Sequence, residues 1–195
     1  MSKALTFVTS NRHKFKEAER IAKEHGVKLR WRNISYAEIQ SDNLADIARV
    51  GSQLAAMFIR APCFVEDAGL FIEALRGFPG PYSAYVFKTI GNDGILRLME
   101  GVDNRAAEFR SVVGYCESFS NSPKIFEGRA KGTIALEVRG KGGFGYDPIF
   151  LPHGGDGRTF AEMSTDEKNE LSHRGEAIRK LVKWYVEVKE GEGIK

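Results

Sequence analysis

Apolar and polar positions along the chain follow two periods, and the change from one to the other marks the elements. Leu5–Val8 is a short β-favouring run that stops at Thr9-Ser10-Asn11, small polar residues suited to a helix start. From Lys14, residues Phe15, Ala18, Ile21 and Ala22 recur at helical spacing, and Gly26 supplies a stop. Val27, Leu29 and Trp31 then alternate with Lys28, Arg30 and Arg32, the pattern of a half-exposed strand. A polar stretch from Asn33 to Asn43 precedes a second helix, with Leu44, Ile47, Ala48, Leu54, Ala55 and Phe58 on one side and Pro62 at its end. Cys63-Phe64-Val65 predicts a short buried strand that ends at Glu66-Asp67.

The second half has a different rhythm. Gly77-Phe78-Pro79-Gly80-Pro81 is a loop by its turn chemistry. Helical patterns cover Ala84–Thr89 and Ile95–Glu100, and long strands are predicted over Ala107–Glu117 and Lys124–Val138 as an antiparallel pair. A glycine-rich loop spans Gly140–Gly145, and Gly154–Gly157 is a turn. From Ser172, residues Ala177, Ile178, Leu181, Val182, Tyr185 and Val188 define a final helix. Strand–helix alternation followed by long strands predicts one α/β domain, residues 1–195, around a mixed sheet.

Composition narrows the class. The chain has 195 residues, 42% hydrophobic and 28% charged, values that exclude a disordered or fibrous protein. A net charge of +3 is too small to demand a nucleic-acid partner, so no stable one is expected. The longest apolar run, Leu54–Ile59, is far too short for a bilayer, and Lys3 with the interrupted stretch Ala4–Val8 does not make a signal peptide. Cys63 and Cys116 have no CxxC spacing and read as buried thiols of a reducing compartment. A cytoplasmic protein without a membrane partner is the expectation.

Two formal motifs fail. Gly140, Gly142 and Gly145 satisfy G-x-G-x-x-G, but Asp147-Pro148 follows where a dinucleotide fingerprint needs a helix. No P-loop is present, and His13, His25, His153 and His173 lack zinc-hydrolase spacing. Other segments carry more chemistry. Thr9-Ser10-Asn11-Arg12-His13-Lys14 lies between a strand and a helix, where free N–H groups and the helix dipole favour an anion, although a plain N-cap with a basic helix face accounts for it somewhat better on chemistry alone. Glu66-Asp67 places two carboxylates together, which repel unless a cation or donors offset them. Mg²⁺ held by carboxylates, water and phosphates would do so, with Glu38 as a third carboxylate, and solvated surface acids are the plainer alternative. Phe144-Gly145-Tyr146-Asp147-Pro148 offers aromatic faces for a base and a carboxylate for a base N–H. Ser172-His173-Arg174, with Lys168 nearby, concentrates donors at a helix start, against the dipole.

Taken in order, Thr9-Ser10-Asn11-x-x-Lys14, Val65-Glu66-Asp67-Ala68-Gly69-Leu70, Gly80-Pro81-Tyr82-Ser83, Phe144-Gly145-Tyr146-Asp147-Pro148, Ala161-Glu162-Met163, Glu167-Lys168-Asn169 and Ser172-His173-Arg174 resemble the inosine triphosphate pyrophosphatase family over nearly the whole chain. The resemblance implies an elongated two-lobed α/β domain around a long mixed sheet, a homodimer, and Mg²⁺-dependent hydrolysis of ITP, dITP and XTP to the monophosphate and pyrophosphate. It assigns Thr9, Ser10, Asn11, Arg12, His13 and Lys14 to the phosphates, Glu38 and Asp67 to the metal, and Asp67 also to the general base. Phe144, with Gly145 and Tyr146 beside it, would stack on the base; Asp147, His173 and Arg174 would face its edge; Lys168 would bridge to the nucleotide. Ala68 stands where many members carry a hydroxyl residue, so only its backbone would meet substrate.

Two other readings compete. One is a Maf-like nucleotide pyrophosphatase, which the Ser-His-Arg and Phe-Gly-Tyr-Asp-Pro motifs disfavour. The other is a non-catalytic nucleic-acid-binding domain built on Trp31, Arg30 and Arg32.

Overall fold

The computed structural model describes residues 4–192, so the reading of Lys3 lies outside the described residues. Its elements are β1 (Ala4–Val8), α1 (Arg12–Glu24), β2 (Lys28–Arg32), α2 (Leu44–Ile59), β3 (Cys63–Ile72), β4 (Pro79–Gly80), α3 (Ser83–Thr89), α4 (Gly91–Leu98), β5 (Ala106–Cys116), β6 (Lys124–Ile134), β7 (Phe150–Pro152), α5 (Thr165–Leu171) and α6 (His173–Glu192). The strands form one mixed sheet in the order β2-β1-β3-β5-β6-β7, with β4 also on β3. Pairing is parallel from β2 through β1 to β3 and antiparallel from β3 onward. The early βαβ alternation and the later long strands therefore meet at β3.

Side-chain alternation along β3 sorts the layers. Phe64, like Val113 of β5, packs with Ile21 of α1 and with Ile178 and Leu181 of α6. Val65 faces the other way, against Ala55 and Ala56 of α2. Further along the first face, Leu70 and Ile72 enter a second core with Ile95, Phe109, Phe150 and Phe160. Two hydrophobic clusters thus share one face of strands about 35 Å long, which gives the elongated, two-lobed form.

Several elements differ from the sequence expectation, among them α4, which begins at Gly91 instead of Ile95. β3 does not stop at Glu66-Asp67; it continues to Ile72 because β5 pairs with it from Cys116 to Ala107. The two acids therefore lie mid-strand and point to opposite faces. β6 ends at Ile134 instead of Val138, since its partner β7 pairs only with Gly132–Ile134, and Leu136 is left 83% exposed. The short α5 is an addition, with Ser164 as its N-cap and Glu167 closing a capping box.

Candidate active site

The site forms where pairing on β3 changes. Among the described residues β1 pairs with β3 at Phe7–Phe64 alone, so beyond that point the β1-side edge of β3 has no strand partner until Leu70 meets β4. The chain leaving β1 turns beside this opening. Asn11 Oδ1 accepts the His13 and Lys14 N–H groups at 2.9 and 3.3 Å, so the N-cap reading holds for Asn11. Lys14, one turn into α1, donates from Nζ to the open-edge carbonyl of Glu66 at 3.0 Å.

On the α1/α6 face, between the two cores, lies a cavity of about 300 Å³. Asn11, His13, Lys14, Ala68, Phe144, Gly145, Tyr146, Asp147, His173 and Arg174 line it, ten of the residues singled out from sequence. His173 stacks on Phe109 at 4.5 Å and 7°, and burial followed by the charge of Arg174 holds its imidazole well below the ordinary range. The ring is therefore neutral at neutral pH, and its Nδ1 has no hydrogen-bond partner among the described residues. Phe144 carries the His13 ring at 5.3 Å, with Lys168 Nζ 4.8 Å and Arg174 Cζ 5.2 Å from its centroid. Tyr146 is buried and donates to Ser83 O. Gly143 has φ +66°, and a Cβ there would meet Asp147 Oδ2 at 2.1 Å, so glycine lets this loop fold over the carboxylate.

Beneath the cavity is a buried charge network. Arg174 donates from Nη1 to Glu17 Oε2 at 2.7 Å and from Nε to Glu66 Oε1 at 3.1 Å. Lys168 joins Glu17 Oε1 at 2.7 Å to Asp147 Oδ2 at 2.6 Å, and that same oxygen accepts the Phe144 N–H. Burial opposes ionisation of Glu66, but Arg174 and Lys14 outweigh it and hold the carboxyl well below its usual range. Lys14 Nζ also sits 2.9 Å from Glu66 Oε2, an ion pair without an aligned hydrogen bond. The cationic start of α6, unfavourable for an isolated helix, is compensated by carboxylates from α1 and β3.

The other expected residues lie around this core. Thr9 Oγ1 accepts the Asn11 N–H, and Ser10 is exposed beside it. Arg12 turns away from the cavity to place its guanidinium 5.6 Å over Trp31, whose indole N–H donates to Thr9 O at 2.7 Å. Trp31 is thereby built into the β1–β2 edge instead of standing free for a nucleobase. Lys168 is 2% exposed, a strut under the cavity. Asp67 points to the α2 face with Tyr36 and Glu38 as electrostatic neighbours, and no hydrogen bond from the described residues reaches its carboxylate. Burial first, then Glu66 and Glu38 against the pull of Lys14, pushes Asp67 up to about 6. Among the described residues no three His, Cys, Asp or Glu side chains converge on one point.

Sequence reasoning missed Glu17, Phe109, Phe87 and Lys88. Glu17 carried a readable signal: it interrupts the apolar face of α1 next to Ala18, a position where an acid is buried only with partners. Phe109 carried none, because its contact with His173 depends on how α6 lies on the sheet. A larger groove of about 630 Å³ near Phe71, Arg76 and Arg110 lacks this convergence, and its Arg110 is already paired with Glu108 at 2.5 Å.

Residues 5–184 match the model of the Ham1 family. The chain belongs to the Ham1 family. It is 52% identical to a dITP/XTP pyrophosphatase of Methanopyrus kandleri, over 92% of this chain and 94% of that protein. The corresponding protein of Thermococcus kodakarensis is 51% identical over 94% of this chain and 97% of its own. Among solved structures, a HAM1 protein from Coxiella burnetii superposes with a TM-score of 0.83 at 30% identity, covering 95% of this chain and 99% of that one. The Staphylococcus aureus Ham1 protein gives 0.79 at 28% identity, with 97% and 100% covered. Ham1 membership accounts for the mixed sheet and the two cores; the geometry above says which residues of this member meet at the cavity.

Proposed function

We propose that this Ham1 protein hydrolyses ITP, dITP and XTP to the monophosphate and pyrophosphate, with Mg²⁺ as the metal. The observation that carries the reading is the cavity itself, in which an aromatic face, a neutral imidazole and a guanidinium stand next to Lys14 and the open edge of β3. Relatives at about half identity are named dITP/XTP pyrophosphatases, which supports the same reaction class.

In this reading the purine enters against Phe144, with His173 and Arg174 at its 6-edge. A 6-oxo group accepts from these donors, whereas the 6-amino group of ATP would face donor with donor and leave a buried polar group unpaired. The triphosphate runs out past Asn11 and Lys14 along the open strand edge toward Asp67 on the far face. The donor set there fits a hard divalent ion: two carboxylates, Asp67 and Glu38, with no hydrogen bond from the described residues on Asp67, and water and phosphate oxygens would complete the set. Bound there, Mg²⁺ would neutralise phosphate charge and orient water. Asp67, which burial pushes up to about 6 in the absence of an ion, is the carboxylate that would accept a proton from attacking water. Lys14 offsets charge on the phosphates.

A homodimer in the cytoplasm, with no membrane or stable nucleic-acid partner, completes the proposal. Phe78, Tyr82 and Tyr85 give apolar surface for a second copy, Tyr85 being 71% exposed, and no helix among the described residues is long and apolar enough to cross a membrane. The deciding experiment is pyrophosphate release from ITP, XTP, dITP, ATP and GTP with and without Mg²⁺, with light scattering for the oligomer. Release from the three non-canonical nucleotides only in the presence of the ion is expected. Equal turnover of ATP would remove the proposed selectivity.

A further inference from the structure

We propose that Glu66 couples recognition of the base to hydrolysis at the phosphates, so that a correct base is expressed in kcat and not only in KM. The inference rests on the function proposed above. Glu66 lies between the two ends of the site and holds a group from each. Its Oε1 accepts from Arg174 Nε at 3.1 Å and from Ser111 Oγ at 2.5 Å, while Oε2 lies 2.9 Å from Lys14 Nζ. The carboxylate is wholly shielded from solvent and the Arg174 side chain is 3% exposed, whereas Lys14 is 19% exposed, toward the cavity where the phosphates would lie.

Two further links make the connection physical. Lys14 is tied to Glu66 twice, by the carboxylate and by the main-chain carbonyl at 3.0 Å, and the residue following that carbonyl is Asp67. Arg174 is anchored on its other side by Glu17, which also holds Lys168 beneath Asp147. A base acceptor that draws on Arg174 weakens its demand on Glu66 Oε1. The carboxylate's charge then falls more fully on Lys14, the cation beside the phosphates, and on the peptide that carries Asp67. In a site of low dielectric such linked polar contacts respond together. Interactions that strengthen only on the way to the transition state raise kcat, whereas equal gripping of both states changes KM alone. Glu66 is in this sense a positioning residue: it acts through Lys14 and Arg174.

The test measures kcat and KM separately for ITP and ATP in the wild type, in Glu66→Gln and in Glu66→Asp, each checked by thermal melting. In the wild type most of the ITP/ATP preference is expected in kcat. Glu66→Gln should lower kcat for ITP by roughly 10-fold or more, the scale of one charge-assisted hydrogen bond, while KM for ITP and kcat for ATP move less than about 3-fold. Glu66→Asp, which keeps the charge, should recover part of the loss. An equal proportional fall in kcat for both nucleotides, or a change confined to KM, would overturn the coupling. If Glu66→Gln does not fold, Ser111→Ala removes one bond to Oε1 and keeps every charge. A narrowed ITP/ATP ratio of kcat supports the proposal there, and an unchanged ratio overturns it. A wild type that releases pyrophosphate from no purine triphosphate would instead remove the functional reading, and the coupling with it.

Discussion

Arg174 and Glu17 stand 157 residues apart in the chain and meet at 2.7 Å, each almost entirely out of solvent. Their contact joins the start of the last helix to the middle of the first. Glu17 holds Lys168 with its other oxygen and Arg174 holds Glu66, so one charge network fixes the floor of the cavity. Glu17, Arg174, Lys168 and Glu66 leave no buried charge in that floor without an opposite partner.

Removing Arg174 should therefore cost stability as well as selectivity. Arg174→Ala leaves Glu17 and Glu66 short of a buried partner, and denaturant melts should show a loss of about 3–5 kcal/mol. Where the variant remains folded, the proposed selectivity requires ITP turnover to fall more than ATP turnover. A change below about 1 kcal/mol would show that the network is solvated and holds nothing in place.

Asp67→Asn should reduce turnover by about 10²-fold or more, the contribution of a general base. It should not destabilise the protein. The folded value of Asp67, about 6, lies above its ordinary 3.8, so ionised Asp67 costs native stability at neutral pH, at most about 3 kcal/mol, and that cost shrinks as pH falls through 6. The variant should melt at or above the wild type at pH 7.5, with the gap narrowing toward pH 4.5. A lower melting temperature at pH 7.5 would mean that Asp67 is structural.

Glu17 and Glu66 have the opposite sign. Both are held below the ordinary 4.5 by Arg174 with Lys168 or Lys14, in spite of burial. Their stabilisation is complete above that value and is lost as pH falls beneath it. Acid titration of the melting temperature should accordingly steepen below about pH 4.5, and the steepening should be weaker in Glu66→Gln. Identical acid profiles would remove Glu66 from the acid transition.

His13 should restrain binding. Its ring lies 5.3 Å from Phe144, on the residue proposed to stack with the base. Displacing an aromatic pair costs about 0.5–1.5 kcal/mol, so His13→Ala should lower KM for ITP by roughly 2- to 10-fold with kcat nearly unchanged. A raised KM would show that His13 clamps the base instead of covering its place.

Local pattern determined the α/β class, the order of the longer elements and the Asn11 cap, because hydrophobic period and capping chemistry are properties of neighbouring residues, whereas the residues of the cavity were brought together only by the family resemblance. Only the tertiary structure decided the rest. Glu66 and Asp67 look equivalent in the chain, but a β-strand sends them to opposite faces, one into a network with Arg174 and Lys14, the other toward Glu38. Lys168 and Arg174 read as free donors until Glu17, from α1, is packed against them. Gly128 belongs with these: a Cβ there would lie 2.0 Å from His173 O, so its absence lets α6 settle on β6 and carry His173 and Arg174 down to the sheet. Partners that distant in sequence carry no periodic signature. Their positions are set by how helices and sheet pack, and packing is where a buried charge finds its counter-charge.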